Sequence, residues 1–183
     1  GDKILMEKPG YLGAIQAFSM YEPEIHMVTL ENDGVNLAEL EEKLKNNKYK
    51  FFYGVPNFQN PTGVSYSEEK RKALAELLKK YQVIYVEDDP YGEIRFLGED
   101  KKSIHYYYPE GTMLLGSFSK IVAPGLRLGW IVANEEIFEK LSRESLIEKI
   151  VQVSKIAMLH EEITDFPYGY DTIVGERGVT LSG

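Results

Sequence analysis

The sequence predicts an α/β fold, a three-layer α/β/α domain built on a mainly parallel sheet. Three observations predict it. Short apolar runs alternate with segments of helical periodicity, the pattern of repeated β-α-β units. Several of those runs are continuously apolar, as strands covered on both faces must be. Of the 183 residues, 43% are hydrophobic, enough for a real core and too many for a disordered chain.

The elements follow in order. Residues 3–7 (KILME) read as a short strand, 11–20 as a helix and 25–30 (IHMVTL) as a strand. Asn36 can cap a helix over 37–45, where Leu37, Leu40 and Leu44 form one stripe. Residues 50–55 (KFFYGV) are the next strand. Ser67, followed by Glu68 and Glu69, starts a helix that runs to about Tyr81 with Leu74, Leu77 and Leu78 inward. Three more strands follow at 83–87 (VIYVE), 112–116 (TMLLG) and 128–133. A long helix is expected from 135 to 162, with Ser142 as an interruption, and 98–110 reads as a surface excursion. No internal repeat or low-complexity segment stands out.

Composition excludes several functions. A net charge of −8 repels phosphate backbones, so nucleic acid is not expected as a partner. The chain has no cysteine, which removes disulfides, thiol catalysis and zinc–thiolate sites and suits a cytoplasmic protein. His26, His105 and His160 lie far apart in no metal-ligand spacing, so no metal is expected. The start carries no secretory signal pattern, and no stretch is long and apolar enough to span a bilayer.

Three strand ends carry unusual polar residues. KFFYGV is followed by Pro56-Asn57-Phe58-Gln59-Asn60-Pro61-Thr62-Gly63, and VIYV by Glu87-Asp88-Asp89-Pro90-Tyr91. TMLLG is followed by Ser117-Phe118-Ser119-Lys120 and then Pro124-Gly125-Leu126-Arg127. Ligands of open α/β sheets bind outside the carboxyl ends of the strands. If these strands are neighbours, an amide, a carboxylate, a phenol, two hydroxyls, a lysine and an arginine converge. That set suits a phosphorylated, electron-withdrawing cofactor.

Asn60-Pro61-Thr62-Gly63, Asp88 with Tyr91, Ser117 with Ser119-Lys120, and Arg127 together resemble the signature set of fold-type I pyridoxal-phosphate (PLP) aminotransferases. The phrases VPNFQNPTG, VEDDPYGEIRF and GSFSKIVAPGLRLGW are similar to the branch holding 2-aminoadipate and aromatic aminotransferases, which also includes the sensor domains of MocR-type regulators. The resemblance covers about residues 1–143 and implies the PLP-binding large domain, truncated at both ends and followed by a helical and loop tail.

It also implies roles, each with a plainer alternative. Lys120 would hold the cofactor as a Schiff base and then move the substrate's α-proton; otherwise it is a surface lysine. Asp88 would pair with the pyridinium nitrogen, and Glu87 and Asp89 would make structural hydrogen bonds. The rival is a metal site at the three carboxylates, which alternation along a strand disfavours. Tyr91 and Asn60 would bond the cofactor's phenolic oxygen, although Asn-Pro-Thr-Gly alone is an ordinary turn. Ser117, Ser119 and Arg127 would hold the phosphate. Tyr11 stands where this branch places an aromatic over the ring, or is one packing tyrosine among 13. Gly125 and Gly129 read as conformational and Trp130 as core.

The resemblance implies transamination between an amino acid and a 2-oxo acid in a homodimer. An upstream phosphate-binding turn and a small domain with a carboxylate-gripping arginine are the parts that this family adds. Three other functions share the motifs: a MocR-type sensor of an amino acid or PLP, marked by an upstream winged helix; a PLP lyase or decarboxylase; and a catalytically dead fragment. Residues 144–183 form the second expected region. There 156–163 (IAMLHEEI) and 166–183 (FPYGYDTIVGERGVTLSG) resemble an ABC exporter's nucleotide-binding domain up to its signature. ATPase activity is not expected, because this chain shows neither a P-loop nor a Walker B carboxylate.

Overall fold

The computed structural model describes residues 1–140 and Thr164. The chain divides into two compact units, Gly1–Asn134 and Glu135–Gly183. The described part of the second is helix α6 (Glu135–Lys140) and Thr164. The rest of the helix expected over 135–162, the boundary expected at 143/144 and most of the ABC-like stretch lie outside the described residues.

The first unit is organised by one sheet. Its strands are β1 (Lys3–Lys8), β2 (Glu24–Glu31), β3 (Gly34–Val35), β4 (Phe51–Gly54), β5 (Ile84–Asp88), β6 (Thr112–Ser117) and β7 (Gly129–Val132), in the spatial order β3-β2-β1-β4-β5-β6-β7. β1, β2, β4, β5 and β6 pair in parallel, and β3 and β7 are antiparallel to their neighbours. The chain moves outward from β1 to β2 and β3, then returns to the other side of β1 for β4. The sheet's topological switch therefore lies between β1 and β4, where such folds place their ligands.

Helices cover both faces: α1 (Leu12–Ser19), α2 (Leu37–Asn46), α3 (Glu68–Tyr81) and the short α4 (Ile104–Tyr107) and α5 (Phe118–Ile121). Both side-chain parities of the central strands are buried. Leu5, Phe52 and Tyr85 join a cluster with Leu40 and Leu44 of α2, Leu74 and Leu78 of α3 and Ile104 of α4. Ile4, Met6 and Tyr53 pack the opposite way, against Ala14, Ile15 and Phe18 of α1. This double burial is why the strands read as continuous apolar runs. Truncating any of the fully buried leucines to alanine costs about 2–5 kcal/mol.

Caps set the helix starts. The Asn36 side chain accepts from the Glu39 amide and Ser67 from the Lys70 amide, each satisfying one orphan donor of a first turn. Three features depart from the sequence expectations. Residues 98–110 are not purely a surface excursion: Ile104 is fully buried, Ser103 caps α4, and the amides of Ile104 and His105 donate to Glu87. Ile104 and Tyr108 are both buried, four residues apart, but one such spacing within a charged and tyrosine-rich segment is too short a pattern to mark α4. β3 is too short to carry a pattern. Trp130 is half-buried on β7, where it covers Gly116, rather than in the core.

Candidate active site

β4, β5 and β6 are neighbours, so their carboxyl ends converge. A cavity of about 500 Å³ opens there. All eight site residues expected from the sequence line it. Tyr11 follows β1, Asn60 follows β4, Asp88 ends β5 and Tyr91 lies in the turn beyond. Ser117 ends β6, Ser119 and Lys120 lie on α5, and Arg127 precedes β7. Glu87 and Asp89 point into structure instead. Glu87 caps α4, and Asp89 accepts from Asn57 Nδ2 at 2.9 Å and from the Gly92 amide at 2.9 Å.

The Asp88 carboxylate has a partner that the sequence reading missed. Tyr53, on the adjacent strand and facing α1, donates its phenol to Asp88 Oδ2. Burial raises the Asp88 carboxyl above the ordinary range, and the Tyr53 hydrogen bond pulls it back. Burial and the neighbouring Asp88 push the Tyr53 phenol far up, so it remains the donor. One oxygen of Asp88 is thereby fixed.

Asn60 stands on a loop held from beneath. Gln59 is 1% exposed and Glu7, near the end of β1, is also 1% exposed. Glu7 Oε1 accepts from the Val55 amide at 3.0 Å and from the Tyr66 phenol at 2.5 Å, and Oε2 accepts from Gln59 Nε2 at 3.1 Å. Gln59 Oε1 in turn accepts from the Thr62 amide at 3.0 Å and its hydroxyl at 2.7 Å. Burial pushes the Glu7 carboxyl up to about 7, against the three donors that pull it down. Glu7 directly follows the apolar run Ile4-Leu5-Met6, and nothing in the sequence ties it to Gln59.

The turn that carries Tyr91 is bracketed by a buried guanidinium. Arg71 of α3 is fully buried and donates to the carbonyls of Tyr66, Lys102 and Pro56 and, at 2.7 Å, to Asn57 Oδ1. Asn57 binds Asp89 with its other end and also accepts from Arg95. A missed signal existed here: Arg71 lies three residues before Leu74 and seven before Leu78, on the inward stripe of α3.

The β6–β7 side is built differently. Ser117 accepts from the Ser119 amide at 3.1 Å and the Phe118 amide donates to the Leu128 carbonyl at 3.1 Å. Lys120, Leu126 and Leu128 are exposed. Arg127 adopts the left-handed conformation at φ 50° and ψ 27°, which a side chain enters at a cost of about 1 kcal/mol or more.

Residues 1–164 match the family model described as aminotransferase class I and II. The chain is 48% identical over 147 residues to aromatic-amino-acid aminotransferase 1 of Thermococcus litoralis, covering 77% of this chain and 35% of that protein. The chain belongs to the class I and II aminotransferase family. A Pyrococcus horikoshii kynurenine aminotransferase, solved with PMP and kynurenine, superimposes with a TM-score of 0.73 at 46% identity, covering 76% of this chain and 36% of that one. An HTH-type transcriptional regulator of Bacillus subtilis, YisV, is 36% identical over 140 residues, covering 76% of this chain and 29% of the regulator. The chain thus spans about a third of the length of the curated relatives it matches.

The donor set of the cavity fits the family's cofactor. Asp88 offers a carboxylate to a protonated ring nitrogen, and Asn60 and Tyr91 offer donors to a phenolate oxygen. Ser117, Ser119 and Arg127 are the types that hold a phosphate, and Lys120 supplies an amine.

Proposed function

We propose that this chain binds PLP in the cavity and that the protein transfers an amino group between an amino acid and a 2-oxo acid. The observation that carries the proposal is the meeting of a lysine amine, a half-buried carboxylate and phosphate-type donors in one cavity at the carboxyl edge of the parallel sheet.

Lys120 Nζ is the attachment point for the cofactor and the group that moves a proton at the substrate's α-carbon. Asp88, held by Tyr53, keeps a proton on the ring nitrogen. Bound there, the cofactor supplies an electron sink for charge developing at the α-carbon. Asn60 and Tyr91 orient the ring through its phenolic oxygen, and Tyr11 covers its face. Ser117, Ser119 and Arg127 anchor the phosphate. We place the working protein in the cytoplasm as a homodimer, with an amino acid and a 2-oxo acid as its substrates. The aromatic and aminoadipate relatives make those amino acids the first to try. Among the described residues no helix is long and apolar enough to cross a membrane.

A second reading, in which the same domain senses PLP or an amino acid within a transcription regulator, is favoured by the regulator relatives. The expected test result is a visible absorbance band on adding PLP, fixed by borohydride in the native chain and absent in Lys120→Ala. A band equal in both would overturn the site. Amino-donor consumption with a 2-oxo acid then separates the enzyme from the sensor.

A further inference from the structure

The pair Glu7–Gln59 belongs to no ligand set named above, yet it sits at the β1/β4 switch under the loop that carries Asn60. Both side chains are almost wholly buried, a costly place for a carboxylate unless each lone pair is used. Here the contacts form a directed chain. Val55 and Tyr66 fix one oxygen of Glu7, and the other dictates which end of the Gln59 amide faces inward. Gln59 Nε2 also donates to the Pro9 carbonyl at 2.9 Å. With the nitrogen so committed, Gln59 Oε1 must point outward, and it captures both donors of Thr62. The Gly63 amide donates to the Gln59 carbonyl at 2.5 Å and the Val64 amide to Thr62 Oγ1 at 3.2 Å. Asn60 lies between these anchors.

From this geometry we propose that Glu7 is a positioning residue, fixing through the orientation of Gln59 the loop that presents Asn60 to the cavity. The inference rests on the reading of Asn60 as a cofactor ligand, but the loop itself can be measured without cofactor. Glu7→Gln keeps the volume and sets two amide nitrogens against each other. Relief requires the Gln59 amide to turn, which brings its nitrogen against the Thr62 amide. The exchanged pair Glu7→Gln/Gln59→Glu restores a donor facing an acceptor at that contact and returns an acceptor to Thr62, while the Pro9 carbonyl loses its donor.

The experiment is residue-resolved amide hydrogen exchange on the full chain without cofactor. Exchange at Thr62, Gly63 and Val64 is expected to speed at least tenfold in Glu7→Gln, relative to the amides of α3, and to recover in part in the exchanged pair, which lacks only the donor to the Pro9 carbonyl. Thr62→Val leaves the buried pair intact and should loosen the same amides through the last link of the chain; unchanged exchange there overturns the proposal even if Glu7→Gln fails to fold. Loop exchange that merely follows α3, or no recovery in the exchanged pair, overturns the proposal. With PLP added, the pH midpoint of its visible band should move in Glu7→Gln in the direction seen in Asn60→Ala; a shift in the latter alone also overturns it. If native chain binds no PLP while the loop still responds, the site reading fails and the positioning of the loop stands.

Discussion

The two sides of the cavity are held by different means. The loops after β4 and β5, which carry Asn60 and Tyr91, rest on side chains with almost no solvent contact: Glu7, Gln59, Asn57 and Arg71. The segment from Ser117 to Gly129 rests on its own backbone bonds and one serine cap, with Leu126 and Leu128 exposed beside it. The first side spends long-range contacts on holding a few donors still. The second uses a tight local turn, with Arg127 in a disfavoured conformation. On the proposed roles, ring recognition is an outcome of tertiary packing and phosphate recognition an outcome of local chain geometry.

The largest expected break in this contrast is Arg71→Leu. It removes the guanidinium's donors from the Tyr66 and Lys102 carbonyls, leaves the Pro56 carbonyl and the Asn57 amide oxygen with one donor fewer, and removes the positive charge near Glu87 and Asp89. A loss of about 3–5 kcal/mol is expected in urea unfolding. A loss under 1 kcal/mol would mean that the buried bracket is dispensable.

Next comes pH. Burial pushes Glu7 and Glu87 each up to about 7 from an ordinary 4.5. Both bind their protons more tightly folded than unfolded, so their contribution is full below pH 4.5 and is lost as pH rises through 7. Each accounts for up to about 3 kcal/mol. Melting temperature should therefore fall from pH 5 to pH 7.5, and Glu87→Gln should flatten that slope by roughly half. A slope unaltered by Glu87→Gln would place the titration elsewhere.

A smaller effect sharpens the comparison at Asp88. Tyr53→Phe removes one hydrogen bond to a carboxylate, about 1–2 kcal/mol, and should weaken PLP binding roughly tenfold in a fluorescence titration. Unchanged affinity would show that the held oxygen of Asp88 does not matter.

The smallest concerns the exposed side. Arg127→Gly should raise stability by up to about 1 kcal/mol, because glycine enters the left-handed region freely, while PLP affinity falls. A stability loss would remove the strain argument.

Particular residues show what was legible. Asn36 and Ser67 could be placed as caps because a cap is a local hydrogen bond between near neighbours. The strands could be placed because double burial leaves continuous apolar runs. Seven of the eight cavity residues were found through short motifs at strand ends, which a parallel sheet gathers on one edge, and Tyr11 through the family resemblance. Ile104, Tyr53 and the Glu7–Gln59 contact were not found, since each depends on a partner 17 to 52 positions away.

By itself the sequence determined the order of the longer strands and helices and the residue types that meet at the sheet's carboxyl edge, because periodicity, caps and turn motifs act over a few residues. Only the tertiary structure decided which buried groups hold those residues in place. A buried carboxylate or guanidinium takes its meaning from the donors and acceptors that folding brings to it, and no spacing along the chain records them.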